Sequence, residues 1–370
     1  MQPKAEQLKH RGAENNPANR FEKIHFERDE EWNPEDDALL RTQFFKDQSQ
    51  TIIAHNDSPD IGFESSLNPY RGCEHGCIYC YARPTHEYLG FSAGLDFESK
   101  IMVKENAPEL LRAALASPKW KPQVIVMSGV TDCYQPVEGK LQITRRCLAV
   151  LAEFRNPVAI ITKNALIARD VDILTELARY QAAATCLSIT TLDPELRKIL
   201  EPRTSPPAAR LAAIKQLSSA GIPTSANVAP VIPGLNDHEI PAILQAAAQA
   251  GATGAGFTLL RLPYAVAPLF EQWLTTHFPD RKEKVLNNLR AMRGGKLYQS
   301  QWGSRMRGEG LFADQIQKLF EVGCRKAGIK NDRGDLSISS FRRPGGEQLE
   351  LAMVKPKAKA WIAIEPPKKP

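Results

Sequence analysis

Between about residue 61 and residue 262, short β-prone runs alternate with helical ones, a strand and a helix recurring on average every thirty residues or so. The strand runs fall at 63–67, 124–128, 158–162, 186–190, 224–229 and 256–260. Between them, 141–154 and 166–180 carry apolar residues at three- and four-residue spacing, as a helix that buries one face requires. Asp193-Pro194-Glu195 opens another helix with a capping carboxylate and a proline in the first turn. The patterns over 206–220 and 237–250 stop at Gly221 and Gly251, where a left-handed residue ends a helix most easily. Strand–helix repetition of this kind demands an α/β fold with a parallel sheet and right-handed crossovers. Six units predict an open, partial (β/α)6 barrel, with reactive groups at the C-terminal ends of its strands.

The alternation divides the chain. Residues 1–56 are rich in charge, Asn, Gln and Pro and are expected to form a partly disordered N-terminal extension, with 16–21 placed to dock on the main body. Residues 57–265 form the core, 266–350 a C-terminal helical and basic region, and 351–370 a Pro/Lys-rich tail. Helical patterns at 270–278, 282–292 and 312–327 fill the third part, with a Gly- and Arg-rich connection between the last two.

Hydrophobic residues make up 42% of the chain and charged ones 24%, the balance of a globular protein. No apolar run reaches the roughly 18 residues a membrane helix needs, and the first residues lack the apolar stretch of a secretory signal. Seven unevenly spaced cysteines then point to a reducing, cytoplasmic compartment rather than a disulfide framework. The net charge of +6 is uneven, being −3 over residues 1–50 and +10 over 276–370. In that basic third, Tyr298, Trp302, Phe312 and Phe341 interleave with Arg290, Arg293, Arg305, Arg307, Arg342 and Arg343. Such a mix suits stacking on bases and contact with phosphates. The competing reading packs the rings as helix core and leaves the arginines in solvent.

The run Arg71-Gly72-Cys73-Glu74-His75-Gly76-Cys77-Ile78-Tyr79-Cys80 concentrates chemistry at the end of the first strand. Its three thiolates offer soft ligands and leave one coordination position unclaimed. Zinc would fill it with His75 or His86 as a structural Cys3His site. An iron–sulfur cluster would leave one iron open to an outside ligand. Cys133, Cys147, Cys186 and Cys324 stand alone and read as buried small hydrophobes.

Cys73, Cys77 and Cys80, with Tyr79 before the last, resemble the signature of the radical SAM superfamily. The local texture at 66–73, 81–86 and 201–204 is similar to the bacterial branch related to spore photoproduct lyase. The resemblance implies a TIM-type partial barrel of the radical SAM type, a [4Fe–4S] cluster on the three cysteines, and S-adenosylmethionine chelated to the fourth iron. It further implies reductive cleavage to a 5′-deoxyadenosyl radical that takes hydrogen from the substrate, fed by a low-potential donor of flavodoxin or ferredoxin type.

Strand ends supply candidate cofactor contacts. Lys163 is a cation suited to the methionine carboxylate. Ser128 and Ser188 offer hydroxyls, Tyr79 a ring near the adenine or shielding the cluster, and Arg203 with Glu201 a clamp on cofactor or substrate. The same residues also read as a surface lysine, a strand serine bonding its own backbone, and a loop-closing ion pair. Where the superfamily often carries Gly-Gly-Glu, this chain has Ser128-Gly129-Val130, which makes Asp132 the substitute candidate for the methionine amine. Spore photoproduct lyase places a hydrogen-donating cysteine just before the position of Ser128. Met127 stands there, leaving Cys133 on the same loop as the candidate. The expected activity is radical chemistry on an unidentified substrate, a nucleic acid first. A peptide or small molecule is the second reading, and a non-enzymatic zinc protein the third.

Overall fold

The computed structural model describes residues 10–21, 40–330 and 335–344. The sequence expectations for the rest of the N-terminal extension and for the Pro/Lys-rich tail lie outside the described residues. Among the described residues ten strands run β1 (Gln43–Lys46), β2 (Ile53–His55), β3 (Ser65–Leu67), β4 (Tyr70–Arg71), β5 (Lys100–Val103), β6 (Ile125–Met127), β7 (Val158–Thr162), β8 (Ala183–Ser188), β9 (Thr224–Val231) and β10 (Gly254–Leu259). Helices α1 (Leu95–Ser99) and α2 (Ala107–Ala116) follow β4 and β5. Four more crossovers are α3 (Glu138–Leu141) with α4 (Ile143–Phe154), α5 (Val171–Ala178), α6 (Pro194–Leu200) with α7 (Pro207–Ser219), and α8 (Ile240–Gln249). After β10 come α9 (Val266–His277), α10 (Pro279–Ala291) and α11 (Leu311–Ala327).

The larger sheet has the order β10-β9-β8-β7-β6-β3-β2. Its six strands from β3 to β10 are parallel and lie in chain order, and β2 adds an antiparallel edge. Parallel strands in chain order with right-handed crossovers put every helix on one face, the topology of an incomplete barrel. The alternation of side chains confirms the two faces. Ile125, Met127, Val158, Ile160, Ala183 and Leu187 join the main core beneath α4 and α5. Val126, Ala159, Ala184 and Cys186 form a separate cluster on the inner face, sealed by Leu336.

Leu336 belongs to a C-terminal segment that closes the bottom of the barrel. Ser337 N–H donates to the Gln181 carbonyl (2.8 Å) and Arg342 N–H to that of Phe154 (2.9 Å), both just before a barrel strand. A second C-terminal stretch crosses the open side. Leu259 N–H donates to the Met306 carbonyl (3.0 Å), while Gly303 N–H (2.6 Å) and the Arg305 guanidinium bind Asp60, ahead of β3.

These contacts correct the reading of the basic third as one open surface. Arg293 is buried and donates to the carbonyls of Arg305 and Leu260. Arg343 donates to those of Ser117 and Trp120, Arg342 to that of Glu153, and Phe341 packs against Phe154. Trp302 and Phe312 remain exposed.

The fourth barrel strand starts three residues earlier than its β-branched run, because Ala183, Ala184 and Thr185 also pair with β7. Gln142, in the left-handed region, starts the helix expected over 141–154 at Ile143 and separates it from a short preceding helix, α3.

Candidate active site at the cysteine loop

The small sheet, ordered β1-β5-β4, aims the cysteine loop. β4 ends at Arg71, and Gly72 turns the chain with φ 77°, where an added Cβ would meet the Phe97 carbonyl at 3.0 Å. Cys73 N–H then donates to that carbonyl (2.9 Å), and Cys80 N–H to the Cys77 carbonyl (3.2 Å). Behind the loop lies Arg83, which is fully buried. Its guanidinium donates to the carbonyls of Gly76 (3.3 Å), Cys77 (3.0 Å), Ala93 (3.2 Å) and Gly94 (2.9 Å), and it pairs with the equally buried Glu98.

Glu98 in turn accepts the backbone N–H groups of Gly12 (2.9 Å) and Ala13 (2.8 Å), so residues 10–21 form a strap over the loop. The fit is close: a Cβ on Gly12 would stand 1.7 Å from the Gly76 carbonyl oxygen. Farther along, Asn16 exchanges two hydrogen bonds with Asp96, and Arg20 pairs with Glu87 at 2.7 Å. The docking expected of 16–21 is therefore present and extends back to the cysteine loop itself.

All three thiols are free of disulfides. Burial pushes each of them up, and at Cys73 Asp132 and the other two thiols add to the effect. Three thiols within one another's field, two buried and one half-buried, with the cations of Arg83 and Lys163 close by, are a donor set that fits a multi-iron cluster.

Around them, Glu201 is wholly buried and collects the Tyr79 and Thr190 hydroxyls, the Arg210 guanidinium and, at 3.4 Å, Lys163 Nζ. Burial alone would raise its carboxyl, but Arg210 and Lys163 hold it well below the usual carboxylate range. Lys163 Nζ also donates to the Ala229 carbonyl (2.8 Å). Tyr79 is thus pinned beside Cys77, and Lys163 stands between β7 and β9 on the inner side.

Ser128 takes a positive φ of 75° at the end of β6, and its hydroxyl accepts Cys133 N–H at 2.9 Å. Ser188 is the last, buried residue of β8 and faces inward by the alternation of its strand. The same alternation turns Ser66, Asn227 and Thr258 inward, so the upper lumen is polar. Asn227 and Thr258 were not legible as candidates, since which face of a strand lines the lumen is fixed only by pairing.

Three candidates are placed differently from expectation. Arg203 bonds Glu74 at 3.0 Å, and its N–H donates to the His75 carbonyl, so it braces the cysteine loop. Asp132 accepts from Thr162 Oγ1 (2.7 Å), Lys163 N–H (2.8 Å) and Tyr134 N–H (2.9 Å), and it faces His75 Nδ1 at 3.4 Å. Both its oxygens are thereby engaged in orienting its own loop rather than open to a methionine amine. Cys133 is fully buried, with Asp132, Glu138 and Asp170 raising its thiol further beyond the effect of burial. That location, behind the loop, leaves it without access to the lumen. Met127 also points into the helix-covered core, so no residue at that position reaches the mouth.

Residues 67–247 match the family model described as the Radical SAM superfamily. Residues 67–247 thus form a radical SAM domain. The superfamily uses a [4Fe–4S] cluster and S-adenosylmethionine. An uncharacterized protein of Mycobacterium tuberculosis is 37% identical over 222 residues, 60% of this chain and 65% of that protein. One from Methanocaldococcus jannaschii is 32% identical over 178 residues, 48% of this chain and 64% of that protein. The chain thus spans just under two thirds of the length of these relatives. In overall fold the chain resembles spore photoproduct lyase, with a TM-score of 0.52 at 18% identity over 79% of each chain. One structure of that lyase holds a dinucleoside spore photoproduct, at the same TM-score and 16% identity.

Proposed function

We propose that this chain is an enzyme that reductively cleaves S-adenosylmethionine at a [4Fe–4S] cluster held by Cys73, Cys77 and Cys80. The observation that carries the reading is three thiols, those of Cys73 and Cys77 buried and that of Cys80 half-buried, on a loop clamped by Arg83 and Glu98 next to the C-terminal ends of a singly wound parallel sheet. When bound, the cluster and its cofactor supply an electron and radical chemistry that removes hydrogen from a substrate.

The residues of the chain bind and orient. Glu201 already has Arg210 as a counter-charge, so Lys163 leaves the cluster of three with one net positive charge for the methionine carboxylate. Ser128 and Ser188 offer hydroxyls from two strand ends, and the Tyr79 ring walls the site beside Cys77. The strap and the core 57–265 together exclude water from the thiols.

For the substrate, the mouth favours a nucleic acid. Exposed Phe21 stacks on exposed Tyr88 with centroids 4.6 Å apart, the Arg20 guanidinium lies 3.8 Å from the centre of the Tyr264 ring, and Arg261 lies over Tyr81 at 5.4 Å. Rings and guanidiniums with open faces bind bases by stacking. This rim supports the nucleic-acid reading better than the C-terminal arginines that bind the fold's own carbonyls.

The test is 5′-deoxyadenosine release by anaerobically reconstituted protein with dithionite and S-adenosylmethionine. Wild type should release it, and Cys77→Ala should not. Release by Cys77→Ala at the wild-type rate would overturn the assignment.

A further inference from the structure

We infer that the edge strand β1, with the cations at its two ends, is the docking face for a small acidic electron donor of flavodoxin type. The inference rests on the iron–sulfur reading above.

β1 is the outer strand of the sheet whose other edge, β4, leads directly into the cysteine loop. All four of its residues are exposed, including the phenyl rings of Phe44 and Phe45, which are 49% and 37% open to solvent. The two rings face opposite sides of the strand: Phe45 lies 6.0 Å from Phe91, while Phe44 leaves an open ring on an edge of the kind that is otherwise blunted.

Cations bracket the strand. At its start, Arg203 bonds both Thr42 (3.2 Å) and Glu74 (3.0 Å), so one guanidinium links the foot of β1 to the interior of the cysteine run. Arg11 bonds the Leu40 carbonyl (2.7 Å) and Thr42 (3.2 Å) beside it. At the other end Arg71 pairs with Asp47 at 2.7 Å. Arg41 and Lys46 are exposed on the strand itself and its approach.

Arg203 and Arg71 already face Glu74 and Asp47, so the exposed Arg41 and Lys46 beside the open Phe44 ring carry the match to an acidic partner that presents the apolar edge of a flavin. Opposite potentials steer such an encounter, and the open ring seats it. One electron leaves the reduced flavin and enters the cluster, and no proton or group crosses.

The test compares two electron sources in the full-length reconstituted protein. With photoreduced flavodoxin, the double variant Arg41→Glu/Lys46→Glu and the single variant Phe44→Asp should each release 5′-deoxyadenosine about tenfold more slowly, the scale expected for rim charges and a seating ring. With dithionite, both should match wild type. Calorimetric titration of full-length apoprotein with oxidised flavodoxin should show binding that weakens as salt rises and is lost in the double variant.

An unchanged flavodoxin-supported rate in the variants would overturn the docking face alone. A preference for ferredoxin over flavodoxin would overturn the choice of partner. A rate that rises in the charge-reversed variant would assign the face to the chain's own stretch 22–39, with eight carboxylates and two cations, and overturn the inference. No release from wild type with dithionite would instead sink the iron–sulfur reading.

Discussion

Arg83 and Glu98 form an ion pair with both side chains fully buried, directly behind the cysteine loop. A buried pair is costly to break from one side, because the remaining charge stays desolvated. Glu98→Gln should therefore destabilise the apoprotein by about 3 kcal/mol. It should also lower the iron retained after reconstitution, since Arg83 then loses the anchor that aims it at the Gly76 and Cys77 carbonyls. Urea unfolding followed by circular dichroism, with iron analysis of the same sample, checks both. An unchanged midpoint and iron content would show that the pair is not what holds the loop.

Gly12→Ala tests the strap. The added methyl has no room against the Gly76 carbonyl, so either the strap lifts or the loop shifts. Limited proteolysis should then cut between residues 10 and 21 at least tenfold faster, as for a segment whose local opening costs about 1.4 kcal/mol less. The reconstituted variant should also bleach faster in air. Equal cleavage rates would mean that residues 10–21 are not seated as described.

His86 predicts a specific acid sensitivity. Its ring is buried between Phe91 and Phe97, and burial pushes its pKa down to about 4. The folded value lies below the unfolded one of about 6.5, so the neutral ring favours the fold above pH 6.5. That contribution, about 3 kcal/mol at full size, is lost as pH falls from 6.5 toward 4. His86→Leu apoprotein should show a flatter loss of stability across that window in urea titrations at successive pH values. An identical slope would remove His86 as the cause.

Lys163→Ala should weaken S-adenosylmethionine binding to the reconstituted protein by about tenfold, as for one lost charge-assisted bond of roughly 1.4 kcal/mol. The structure adds a second expectation. Glu201 keeps Arg210, so the fold should tolerate the change with a small loss of stability. An unchanged dissociation constant would count against the carboxylate role.

Much of the barrel was legible because its strands are apolar runs of β-formers separated by amphipathic helices, a pattern read locally. β8 begins three residues before the run at 186–190 because Ala183 and Ala184 lack the branched or aromatic side chains that mark a strand, leaving Thr185 isolated. β1, β2, β4 and β5 have no counterpart in the sequence reading: they are short, and β1 and β2 border the charged N-terminal stretch, so pairing across the chain rather than local pattern defines them.

The three cysteines stand out in the sequence by their spacing, and the structure holds them on one loop after β4. Arg83, three residues past Cys80, had no signal of its own, because a guanidinium in a sequence gives no hint that it will be buried against five oxygens. Glu98 and Gly12 were silent for the same reason. The C-terminal arginines misled in the opposite direction, since residues such as Arg293 bond carbonyls of the barrel rather than solvent.

The central claim is that Cys73, Cys77 and Cys80 hold an iron–sulfur cluster rather than a single ion. Iron, sulfide and zinc content of the full chain after anaerobic reconstitution tests it most directly. About four irons and four sulfides per chain are predicted, falling by more than half in Cys80→Ala. About one zinc per chain with no sulfide would contradict it.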